Sequence, residues 1–76
     1  MNNSRRKALQ KIYAAIEEVK SDLENIYDEE QEAFENIPKN LEGSERYEVA
    51  ENAVDNLDSA FSGIEEILEY LEEAMT

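Results

Sequence analysis

The chain contains no cysteine and no histidine. Their absence removes disulfides, thiolate nucleophiles, imidazole metal ligands and the side chain best suited to moving protons near neutral pH. Glycine occurs twice and proline once, too few to punctuate a series of short strands. No apolar run approaches the roughly 20 residues that a membrane-spanning helix needs, and the opening MNNSRRKALQ lacks the apolar centre of a signal peptide. A soluble, cytoplasmic protein is the expectation. Positive charge is also scarce: seven Lys and Arg stand against twenty Asp and Glu, for a net charge of -13. Such a chain repels nucleic acid and anionic membrane over a Debye length of about 8 Å. What remains for its acids is a basic protein, a cation or plain solubility.

What the chain does contain is helix-forming Glu, Ala, Leu and Lys, arranged in heptads. From Leu9 the apolar positions Leu9, Ile12, Ile16, Val19, Leu23 and Ile26 alternate steps of three and four, which is the seam of a long helix. Tyr13, Tyr27 and Phe34 widen that stripe on one side, and Glu30 falls where the register calls for an apolar residue. Ser4 is a plausible cap, and Ile37-Pro38 disfavours further helix, so the first helix spans about 4–36. The connection, about 37–44, has room for a short turn from Pro38 to Gly43, and Ser44 can cap a second helix. That helix, about 45–75, carries Tyr47, Ala50, Val54, Leu57, Phe61, Ile64, Leu68, Leu71 and Met75 at the same spacing.

Two long helices joined by so short a connection must fold back on each other to bury both seams. The expected fold is all-α, one domain over 1–76: an antiparallel two-helix hairpin roughly 45 Å long at 1.5 Å per residue. Facing residues should have numbers that sum to about eighty, which places Glu30 near Ala50 and Ala53, where it meets Arg46 or water. Beside the second seam run Ala53, Asn56, Ala60, Gly63 and Ile67, small enough for another helix to approach closely. A lone hairpin of this size supplies only roughly 3 to 5 kcal/mol, so a homodimer or larger oligomer built as a four-helix bundle is expected.

The acids point away from catalysis. Adjacent pairs such as Glu17-Glu18 and Glu65-Glu66 lack the cleft that would raise one carboxyl pKa, and di-metal bundle sites need histidine. Neither an enzyme, a metal nor a cofactor is expected. The stretch YDEEQEAFE crowds acids at the end of the first helix, where the macrodipole disfavours them. Arg5, Arg6, Lys7 and Lys11 are misplaced in the opposite sense at its start, and an antiparallel partner would set them beside the acids that end the second helix. No such relief reaches Asp22, Asp28, Glu29, Glu32 and Glu35, opposite which lie Glu48, Glu51 and Asp55. These eight form the candidate surface for a basic partner. Twenty acids over roughly 45 Å give about one charge per 2 Å, near the duplex value of about one per 1.7 Å.

The stretch NIPKNLEGSERYEVAENAVDNLDSA, residues 36–60, resembles small acidic helical accessory proteins of phages and prophages. The resemblance implies a protein that inhibits a host defence system or sequesters its nucleotide signal, acting in the bacterial cytoplasm. Three functions are compatible with these features. The first is a non-enzymatic inhibitor that offers its acidic surface to a positively charged host protein, in the manner of a nucleic-acid mimic. The alternative is an oligomeric sponge for a nucleotide, with Tyr13, Tyr27 and Tyr70 stacking on a base and Lys20, Lys39 and Arg46 holding phosphate. The last is a structural or regulatory dimerisation module without a ligand.

Overall fold

A computed structural model describes residues 1–76. The chain forms helix α1 (Asn3–Glu35), a 3-10 turn at Lys39–Leu41 and helix α2 (Glu45–Met75), with no strand. The two helices pack against each other as a hairpin. Its Cα atoms span 59 × 16 × 13 Å. The rod is longer than the helix-length estimate because α1 has 33 residues and the connection projects beyond its end.

Local chemistry sets the ends. Asn2, not Ser4, caps α1: its Oδ1 accepts from the Arg5 N–H at 2.8 Å, with the Asn2 backbone extended. Asn is as good an acceptor for an orphan N–H as Ser, and the earlier cap adds helix. At the other end the Ile37 N–H turns back to the Phe34 carbonyl, and Pro38 prevents continuation. Gly43 has φ +84°, a left-handed conformation that only glycine adopts freely, and it releases the chain from the turn into α2. Ser44 then caps α2, accepting from the Tyr47 N–H at 3.2 Å. Glu45 and Glu48 lie in the first turn of α2, where the macrodipole favours acids.

Three contacts fix the register. Arg6 reaches Met75, Lys20 lies over Phe61, and Phe34 packs on Tyr47 with ring centroids 5.0 Å apart. Two heptads forward along α1 are therefore two heptads back along α2, with no slip between them. The whole predicted seam of α2, from Tyr47 to Met75, is buried or half-buried, and Val54 and Leu68 are its most buried members. On α1 the seam is rotated. Leu9, Ile16 and Leu23 face inward as expected, but Ile12, Val19 and Ile26 are 49%, 56% and 52% exposed. Tyr13, Lys20, Tyr27 and Phe34 take the contact in their place. The apolar arc of α1 is wider than one neighbouring helix can cover, and α2 covers the aromatic side of it.

Candidate partner-binding surface

Asp22, Asp28, Glu29, Glu32, Glu35, Glu48, Glu51 and Asp55 are all solvent-exposed. They do not share one face. Asp28 and Glu35 stand one heptad apart on α1, as do Asp22 and Glu29, but these two pairs lie on different sides of that helix. Glu48, Glu51 and Asp55 line the flank of α2 away from the small residues. Glu32 lies on the back of α1. Acid therefore wraps the turn-proximal half of the rod instead of painting one side.

Almost none of this charge is answered within the chain. One ion pair forms, Lys20 Nζ to Glu65 Oε2 at 3.6 Å, with the same ammonium 5.1 Å from the centre of the Phe61 ring. At the tip of α1 the Glu35 carboxylate accepts from Gln31 Nε2 at 3.0 Å, a neutral donor where a cation would suit the helix end better. Glu30 is exposed and shares a shallow open depression with Glu45, Arg46, Val49, Ala50 and Ala53, but makes no ion pair there. At the far end, Arg5, Arg6, Lys7 and Lys11 form no ion pair with the acids that end α2, and Arg6 alone bridges the two helix ends, through a backbone carbonyl. Arg6 donates from Nε to the Met75 carbonyl at 3.0 Å, satisfying an acceptor that the helix leaves open, and holds Asn3 Oδ1 and the Met1 carbonyl with its other nitrogens.

The six residues of the nucleotide reading are dispersed. Tyr13, Lys20 and Tyr27 follow one another at heptad spacing along the edge of α1, facing the α2 line of Glu72, Glu65 and Asp58. Lys39 is on the 3-10 turn, Arg46 on the opposite side of the rod, and Tyr70 is exposed near the end of α2, its hydroxyl on Glu66 at 3.3 Å. Three open depressions mark the surface, and each contains one of the six. Two are acid-lined: Glu69, Glu72 and Glu73 surround Tyr70, while Glu24, Asp28 and Asp58 surround Tyr27. The Tyr13 phenol is held above its ordinary pKa, first by removal from water and then by the Glu72 and Glu17 carboxylates. No group of three acids converges as a metal site would require.

Ala53 and Gly63 of the small-residue line are half-buried, while Asn56, Ala60 and Ile67 are exposed. All five lie on the side of α2 that continues the bare Ile12, Val19 and Ile26 flank of α1. Sequence reasoning assigned those three aliphatics to the hairpin seam and so missed this flank. The signal was present in the aromatics at the next position round the helix, which compete for the same contact. The part played by Arg6 was legible only as charge, since its partner is a backbone carbonyl.

The fold and its surface define a class: an acidic antiparallel helical hairpin with no helix long and apolar enough to cross a membrane. Comparison with protein-family models, with curated proteins and with solved structures finds no match to the chain.

Proposed function

We propose that the chain is a non-catalytic binding protein that offers its acidic exterior to a positively charged protein surface, as a phage-type accessory inhibitor of a nucleic-acid-binding or defence protein would. One observation carries the reading: twenty acids are held on a rigid rod, and one of them finds a cation within the chain. Uncompensated charge on fixed helices draws an oppositely charged partner from a distance and costs no ordering on contact. Over the observed 59 Å the acids average about one per 3 Å, sparser than duplex phosphates at about one per 1.7 Å. The likeness to nucleic acid thus rests on sign and rod shape, not on phosphate spacing.

The test is capture of host proteins by the tagged chain at about 50 mM salt, followed by release at about 500 mM, where the Debye length is only a few ångströms. A basic protein should be retained at low salt and released at high salt. The same capture with Asp28, Glu29, Glu32 and Glu35 changed to Gln should lose most of it. Equal capture by that variant at low salt overturns the reading for this stretch. Mass spectrometry of small molecules extracted from the same purified protein decides the alternative: a nucleotide at near-stoichiometric yield would favour the sponge.

A further inference from the structure

We propose that the bare aliphatic flank is a self-docking surface. A second copy of this chain lies on it reversed end for end, making a four-helix bundle with Val19 of each copy at the two-fold axis.

The flank is continuous across both helices. Ile12, Val19 and Ile26 supply α1's part, one heptad apart and about half-exposed, and Ala53, Ala60 and Ile67 lie beside them on α2. Three branched aliphatics in a row at heptad interval through the middle of α1 are more than the scattered exposure normal for a surface. The exposed area of this rod leaves room for the same thing. The chain exposes 5842 Å², whereas a compact monomer of its mass exposes about 4,800 Å². The difference, on the order of 1,000 Å², is close to the roughly 800 Å² that each partner loses in a stable complex. Only two residues are buried in the single hairpin, and neither completely, so a second copy would supply the core it lacks.

Charge chooses the orientation. The line of Ile12, Val19 and Ile26 begins at Arg5 and ends among Glu29 and Glu30. Stacked with turns together, two copies would set acid on acid at one end. Reversed, Arg5 of one copy comes level with Ala33 of the other, within reach of its Glu29 and Glu30, and the basic start of each α1 covers the acid-rich end of its mate's α1, so the two most acidic halves lie apart. The register then makes the flank complementary to itself. Ile12 meets Ile26, Val19 meets Val19, and on α2 small Ala60 meets Ile64. Gly63 stands level with this centre. A Cβ added there would touch nothing within 4 Å, so the hairpin alone gives no reason for a helix-weakening glycine in mid-helix, whereas close approach of a second backbone does.

Sedimentation equilibrium from about 1 to about 200 μM, bracketing the micromolar range of ordinary self-association, tests the pairing. The unmodified chain should reach twice its 8.8 kDa mass. Val19→Glu and Ala60→Glu should be monomeric yet helical, and Ser62→Glu, adding the same charge on the acid-lined side, should remain dimeric. A wild-type monomer throughout, or a Val19→Glu dimer, overturns the proposal. Orientation is read by oxidation of single-cysteine variants, which is clean because the chain has no other cysteine. Val19→Cys should form a disulfide-linked dimer readily and Ile12→Cys should not. The reverse result overturns the end-for-end arrangement.

Discussion

Two lines of side chains run the length of α1 at the same heptad spacing, one on each side of its central Leu9, Ile16 and Leu23. The line of Tyr13, Lys20 and Tyr27 is half-covered by α2, and the line of Ile12, Val19 and Ile26 is left bare. A hydropathy scale would rank them the other way. The covered line holds a lysine and two hydroxylated rings, yet each has an apolar body to lay against α2 and a polar tip to leave in water. Its polar tips face Asp58, Glu65 and Glu72, so contact on this side combines apolar area with a cation over Phe61 and an ion pair. Pure aliphatics are indifferent to which apolar surface covers them. They can wait for another helix, and the difference between the two lines separates what holds the hairpin from what is left over for assembly.

The sharpest way to break this distinction is at the shared core. Leu68→Ala removes one of the two buried side chains and should cost about 2 to 4 kcal/mol, most of the stability of so small a hairpin. Thermal unfolding followed by circular dichroism in dilute protein would show it as largely unfolded. Val19→Ala measured alongside should change the dilute hairpin by less than about 0.5 kcal/mol, since that side chain meets mainly water there. Next in size is Gly63→Ala, which should stabilise the dilute hairpin by about 1 kcal/mol, because helix propensity improves and the added methyl meets nothing. If close packing on the bare side matters, the same change should weaken self-association, so the two readouts should move in opposite directions.

Lys20→Ala probes the covered line and should destabilise by about 1 kcal/mol, combining lost stem packing with a modest cation–π contact and a partly screened ion pair. Lys20→Met should recover most of that loss while removing the ion pair's share of the salt dependence, as denaturant titrations at two ionic strengths would reveal. The smallest effect is at Tyr13. Its phenol is raised in the folded chain, so the fold binds that proton more tightly than the unfolded chain does. The associated stability is present below about pH 10, the unfolded value, and is lost as pH rises through the folded one. Melting temperatures taken between about pH 9 and 11 should fall slightly more for wild type than for Tyr13→Phe.

Much of this architecture was written in the spacing. The two helices, the Ser44 cap, the turn stopped at Gly43, the seam of α2 from Tyr47 to Met75 and the antiparallel register all follow from rules that act over a few residues or from a period that counts itself out along the chain. Each is local, or a sum of local choices with one consistent answer. The acids were also legible as exposed, since an unpaired carboxylate loses its hydration if buried.

Only the tertiary structure decided which flank of α1 the partner helix covers, because Tyr13, Lys20 and Tyr27 and Ile12, Val19 and Ile26 satisfy the same heptad equally well. That choice depends on the sum of many contacts with α2, among them Phe61 beneath Lys20 and Tyr47 against Phe34, and no residue on α1 states it alone. The cap that Arg6 places on the Met75 carbonyl is of the same kind, for it joins the two ends of the chain through a backbone group that every residue carries. Sequence determines the period of a helix and the breadth of its apolar arc. Where two neighbours could share that arc, three-dimensional packing assigns the sides.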